Sequence, residues 1–163
     1  MRVQQSVTVL LAIFIIVWLG ARVIWPRLRD SNARYHGLSA ERHWDDAGCQ
    51  SEAVCGARYR DAIAAAGGIG KGGQADKSCT AFLVPENDSE YDRNAVAVVI
   101  AGRLVGHLSP HDALHLRNRL AAAGMTGGAV TSCAARIGGG GAGAEGQPLN
   151  YTITLTLASG EGA

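Results

Sequence analysis

Apolar and polar positions change their pattern three times along the chain. From Val3 to Ala21 no residue is charged, a run of 19 positions centred on Ile13, Phe14, Ile15, Ile16, Val17 and Leu19. That reaches the ~18–20 apolar residues needed to cross a hydrocarbon core. A cleaved signal peptide would have a shorter apolar core, roughly 7–15 residues, and a small-x-small site. Gly20-Ala21-Arg22-Val23 is a poor site of that kind. Residues 1–25 are therefore expected to form an uncleaved N-terminal transmembrane helix, meeting the lipid bilayer through residues 3–25. Trp18 and Trp25 would lie toward one interface. Pro26 ends the run. Residues 26–50, polar and charged with scattered aromatics, read as a juxtamembrane linker, part of it helical over 38–46.

From residue 51 the periodicity shortens. Ala53-Val54-Cys55 reads as a short strand, and residues 59–66 as a short helix stopped by Gly67-Gly68. A glycine-rich loop is expected over 67–73, then a strand over 79–84 closed by Pro85. Residues 95–100 are a near-continuous apolar, largely β-branched run, the mark of a buried strand. Ala101-Gly102 turns the chain and Leu104-Val105 starts a paired strand. Ser109-Pro110 is a helix start, a hydroxyl N-cap followed by proline, and Asp112 suits the positive end of the dipole. That helix runs to about residue 123, with Ala113, Leu116, Leu120 and Ala123 on one face. Residues 130–137 read as a strand and 138–146 as a flexible glycine loop. Residues 150–157 alternate, with Tyr151, Ile153, Leu155 and Leu157 on one side and three threonines on the other. The expected fold of residues 51–163 is mainly β with two short α-helices: a small, partly open β-barrel, which buries short strands without long edges.

Charge adds direction. Arg2 alone precedes the apolar run, whereas Arg22, Arg27, Arg29 and Arg34 follow it. The positive-inside rule then puts the C-terminal domain in the cytoplasm of a single-pass membrane protein. Net charge is +1 overall, with residues 1–50 at +2 and residues 51–163 at −1. A surface that tracks duplex phosphates needs a basic excess that the domain lacks. Cys49, Cys55, Cys79 and Cys133 match no zinc spacing. In a reducing cytoplasm they read as small or idle thiols; in an exported domain they would permit two disulfides.

Several motifs fail on inspection. The glycines and Lys71 at 67–72 lack both ends of a P-loop. His111-Asp112-Ala113-Leu114-His115 places two imidazoles one helical turn apart, but Asp replaces the general-base Glu of the zinc helix and no third ligand is evident. Asp88, Glu90 and Asp92 lack the glycine and the terminal bidentate Glu of a calcium loop. No cofactor or metal is expected, and nothing calls for an enzyme. Two pairs stand out instead, Arg58-Tyr59 and Tyr91-Asp92, each at the edge of an expected strand. Aromatic rings there can stack on bases, a guanidinium can hold a phosphate, and a carboxylate can accept from a free sugar hydroxyl. On chemistry alone the commoner reading of the same residues is half-buried packing tyrosines and a loop-capping Asp92.

A longer pattern joins these pairs. Tyr91-Asp92-Arg93-Asn94-Ala95-Val96-Ala97-Val98, followed by Gly102-Arg103-Leu104-Val105-Gly106-His107-Leu108, resembles the HIRAN domain. Val54-Cys55-Gly56-Ala57-Arg58-Tyr59 and Leu83-Val84-Pro85-Glu86-Asn87 resemble its first and second strands, so the likeness covers about residues 51–157. It implies an OB-like β-barrel that, in the best-understood members, binds the 3′ end of single-stranded DNA. On that pattern Arg58 and Tyr59 contact phosphate and base, while Tyr91 and Asp92 stack on the terminal base and accept from its 3′-hydroxyl. The family's late aromatic contact falls near residues 138–146, and Tyr151 is the candidate for it. No ATPase accompanies the domain here, so the implied role is binding or tethering. The partner is then a single-stranded DNA end or, if the barrel has lost that role, another protein.

Overall fold

The computed structural model describes residues 32–70, 73–89 and 92–158. The expected transmembrane helix lies outside these residues; among those described, no helix is long and apolar enough to cross a membrane. The chain divides into two units, Met1–Arg34 and Tyr35–Ala163. The second is mainly β with two short helices. Its strands are β1 (Arg42–Trp44), β2 (Ser51–Glu52), β3 (Gln74–Pro85), β4 (Val96–Ile100), β5 (Arg103–His107), β6 (Thr131–Gly140) and β7 (Tyr151–Leu155), with helices α1 (Arg60–Gly67) and α2 (Pro110–Ala122). They form one sheet in the order β2-β7-β6-β3-β4-β5, and β1 adds to β6. The sheet curls into an open half-barrel. Just past β2, Val54 forms a single antiparallel bridge with His107 of β5, bringing the two ends of the strand order together.

The apolar run of β4 explains the core. All five residues from Val96 to Ile100 are buried. Successive side chains of a strand point to opposite faces, so each face needs its own cover. Val96, Val98 and Ile100 join the main core with Leu83, Leu116, Leu120, Ile137 and Ile153. Ala97 and Val99 pack on the other face under Tyr35, which is 2 % exposed. The ring therefore comes from the segment that reads, by composition, as a linker. The same segment differs from expectation again at 42–44, where the chain is a strand. β1 runs parallel to β6, pairing Arg42 with Thr131 and Trp44 with Cys133. The physical reason lies on β6: β7 pairs with it only from Ala135 to Gly139, which leaves the start of β6 open on that side. Trp44 is 5 % exposed between two guanidinium groups, Arg42 at 4.4 Å and Arg119 at 4.2 Å from its ring. Arg119 forks onto Asp46 at 2.6 and 2.9 Å, and Asp46 also accepts from the Ala158 amide. That hydrogen bond to Arg119 holds the Asp46 carboxyl below its ordinary value of 3.8.

Two strands run longer than their hydrophobic pattern predicts. β3 begins at Gln74 because its polar first half pairs with the glycine end of β6, Gln74 opposite Gly140. The expected flexible loop therefore starts as strand. Gly140 is required there: an added Cβ would lie 2.1 Å from the Tyr151 ring. That ring sits over the glycine and donates its hydroxyl to the Gly73 carbonyl at 3.0 Å. Helix α2 begins as expected. Ser109 Oγ accepts from the Asp112 amide, and the buried Asp112 carboxylate accepts from Ser51 and Ser109 at 2.8 and 2.9 Å. Asp112 thus ties the helix start to β2. Ala113, Leu116 and Leu120 are buried as expected, while Ala123, at the C-cap, is exposed.

All four cysteines are free: Cys49 exposed, Cys55 and Cys79 half-buried, Cys133 buried. Burial pushes the Cys133 thiol up to about 12 and the Cys55 thiol up to about 11.

Candidate nucleic-acid interface

The Val54–His107 bridge sets the position of the corner that carries Arg58 and Tyr59. β5 reaches it through an irregularity: its register against β4 shifts between Val98 and Val99, which leaves Val105 as an extra residue. Such a bulge re-aims the residues beyond it. Gly106 then lets the segment past β2 come close, since a Cβ there would meet the Val54 carbonyl at 2.8 Å and Cys55 Sγ at 3.1 Å. After the bridge the chain makes a 3₁₀ turn, Ala57–Tyr59, and enters α1.

Tyr59 points inward. It is 9 % exposed and belongs to the main core. Its hydroxyl lies 3.2 Å from His107 Nδ1, and His107 Nε2 lies 3.1 Å from Glu86 Oε2. The other Glu86 oxygen accepts from the Tyr35 hydroxyl at 2.7 Å. A carboxylate can only accept, so Nε2 carries a proton; in the neutral ring Nδ1 then accepts from Tyr59. The result is a polar chain of four side chains, Tyr35–Glu86–His107–Tyr59, running from the N-terminal segment to the corner. Arg58 is exposed and lays its guanidinium over the outer side of the Tyr59 ring at 4.6 Å.

Glu86 also begins the acidic loop. The stems of that loop pair through the Glu86 amide and the Ala95 carbonyl at 2.9 Å. Asp92 is half-buried in it. Its Oδ1 accepts from the Asn94 amide at 2.8 Å, and its own amide donates to Ser89 Oγ at 3.3 Å. This is an Asx turn, the local structure that Asp favours in loops. Asp92 Oδ2 has no hydrogen-bond partner among the described residues. Tyr91 lies outside the described residues. Arg58 and Tyr59 thus sit on the turn into α1, Asp92 sits on the neighbouring loop, and the His107–Glu86 contact links the two pieces.

Sequence reasoning missed the linking residues. His107 and Glu86 fall inside the resembling stretches, yet only the fold brings them within hydrogen-bond reach, 21 positions apart. Tyr151, the candidate late aromatic, is buried at 5 % over Gly140 with the Arg60 guanidinium 5.5 Å from its ring. His111 and His115 gather no partners: no group of three His, Cys, Asp or Glu that could hold a metal occurs among the described residues. A shallow trough of about 390 Å³ on the polar sheet face, lined in part by Gln50, Ser78, Arg136 and Thr154, shares no residue with the corner. No protein family matches the chain, and no curated protein or solved structure is found to be similar to it.

Proposed function

We propose that this chain is a membrane-anchored, HIRAN-like module with an OB-like barrel that binds the 3′ end of single-stranded DNA. The observation that carries the reading is Asp92. Its Oδ1 is occupied by the Asx turn, and Oδ2 is left to accept a hydrogen bond from outside. Phosphates repel a carboxylate, so an acidic acceptor fits the one place in a strand that offers a hydroxyl instead, the terminal sugar. Arg58 is exposed on the turn into α1, free at the surface to fork onto a phosphate. Tyr91 would supply stacking worth about 1–3 kcal/mol on the terminal base. The likeness over residues 51–157 supports the same assignment of roles. No cofactor or catalytic step is part of it.

The test is a fluorescence titration of the whole chain with short single strands, ending in a 3′-hydroxyl or a 3′-phosphate. The whole chain is needed because Tyr35 and Trp44 belong to the core. Tighter binding of the hydroxyl end is expected, weakened by Tyr91→Ala and by Asp92→Ala. Equal binding of both ends, or none, overturns the proposal. The anchor over residues 3–25 and the cytoplasmic face are part of the same reading. A reporter fused at the C-terminus tests them, and an extracytoplasmic signal would remove routine access to DNA ends.

A second reading has observations of its own. Tyr59 is largely buried, and residues 51–163 carry −1. Both favour a membrane-tethered protein-interaction module that kept the barrel without DNA binding. It predicts a protein partner that stays bound in pull-downs after nuclease treatment; release by nuclease argues against it.

A further inference from the structure

The acidic loop is held by a residue outside the corner. Arg117 lies on α2, half-buried beside the buried stripe of Ala113, Leu116 and Leu120. Its guanidinium makes four hydrogen bonds across the mouth of the loop. Nε donates to the Asn94 carbonyl at 2.9 Å and Nη2 to the Ala95 carbonyl at 3.1 Å. Nη1 donates to Asn87 Oδ1 at 2.8 Å and to the Gly127 carbonyl at 3.3 Å. None of these acceptors is a carboxylate. A surface arginine placed for charge alone gains more from an acid, because a charged pair gives the stronger bond. Here a rigid fork is matched to uncharged acceptors on both stems of one loop.

The acceptors bracket residues 88–93, which include Tyr91 and Asp92. One stem is reached at Asn87, the other at Asn94 and Ala95, and Ala95 also accepts from the Glu86 amide. The Asn87 side chain leans on the turn after α2 as well, where a Cβ on Gly128 would come within 3.3 Å of its Nδ2. The loop is therefore fastened at its base to a helix that packs on the core.

We infer that Arg117 is the positioning residue of this interface: it sets the width of the loop mouth and thereby the aim of the Asp92 carboxylate at a terminal sugar hydroxyl. The ligand part of this inference rests on the proposed recognition of 3′ ends; the clamp itself does not. Removing the guanidinium loosens the stems, so discrimination between strand ends is lost while attraction for the strand as a whole persists.

Two measurements on the full chain decide it. The first is amide hydrogen exchange of Glu86, Asn94 and Ala95 in the absence of nucleic acid. Arg117→Ala is expected to speed exchange at all three by about tenfold or more, the effect of losing ~1.4 kcal/mol of local protection. Arg117→Lys keeps the charge without the fork and is expected to recover only part of it. The second is the affinity ratio for single strands ending in 3′-hydroxyl over 3′-phosphate. Arg117→Ala should bring that ratio toward one, whereas Arg93→Ala, which removes an exposed charge from the same loop, should leave it near the wild-type value. Unchanged exchange in Arg117→Ala overturns the clamp. A ratio that falls equally in Arg93→Ala overturns positioning in favour of charge. If wild type binds neither strand yet Arg117→Ala speeds exchange, the recognition of DNA ends and its positioning role fall and the clamp survives.

Discussion

Residues 35–46 are held to the barrel at two places built from different chemistry. At one, Trp44 inserts between two guanidinium groups and Asp46 forks onto Arg119, tying β1 to α2 and to Ala158. At the other, Tyr35 covers the outer face of β4 and donates to Glu86, the start of a chain that ends on Tyr59. The first is a large ring plus a short, forked ion pair, fully formed wherever the carboxylate is ionised. The second is made of two phenols, an imidazole and a carboxylate, where each proton has alternative positions. The rigid fastening lands on Arg119 of α2, two positions from Arg117, and the adjustable one leads into the candidate interface.

The comparison breaks most sharply at Trp44. Trp44→Ala removes a ring buried among β1, α2 and β6, and is expected to cost about 3–5 kcal/mol in denaturant unfolding. A cost below about 1 kcal/mol would mean that β1 is not part of the cooperative unit. Next comes Asp46→Asn, which removes the ion pair and should cost roughly 1–3 kcal/mol at neutral pH. The pH dependence gives the sign. Asp46 has a folded pKa below its ordinary 3.8, so its stabilisation is complete above that value and is lost as pH falls through the folded pKa. Wild type and Asp46→Asn should therefore converge in stability as pH falls from 3.8 through the folded pKa; curves that stay parallel across that acid range would show that the fork contributes nothing. Tyr35→Phe keeps the ring and deletes one hydroxyl. About 1 kcal/mol or somewhat more is expected, together with shifted imidazole nitrogen resonances of His107, since Glu86 loses the Tyr35 hydroxyl. Unmoved resonances would separate the outer docking of Tyr35 from the corner. The smallest effect belongs to the β4–β5 hairpin, which turns beside His36, where a Cβ on Gly102 would lie 2.8 Å from its ring. Ala101 sits in this turn at φ 50°, a conformation that favours glycine. Ala101→Gly should stabilise by roughly 0.5–1 kcal/mol in thermal melts.

Local signals proved readable and long-range ones did not. The apolar run of β4, the alternation of β7 and the Ser109-Pro110 helix start each follow from neighbours within a few residues. The parallel pairing of Arg42–Trp44 depends on β6, almost ninety positions away, and on the point where β7 stops. Nothing near Trp44 announces it, and the polar context suggested a linker. Likewise the glycines at 138–140 carry no side-chain preference for a strand; a partner in β3 and the Tyr151 ring impose it. At the candidate interface, sequence singles out Arg58, Tyr59 and Asp92 but gives no sign of the inward aim of Tyr59. It follows from the bulge in β5 and from the Glu86–His107 contact, both products of tertiary closure.

The unequal burial of the four thiols has a practical reading. A thiol reacts as thiolate, and only where reagent can reach it. Burial pushes the enclosed Cys133 thiol up to about 12 and the half-buried Cys55 thiol up to about 11, and Cys49 alone of the four lies open to solvent. A maleimide dye offered briefly at neutral pH should therefore mark Cys49, three residues beyond Asp46. That gives the native chain a built-in reporter beside its rigid fastening, and it leaves the corner at Tyr59 untouched.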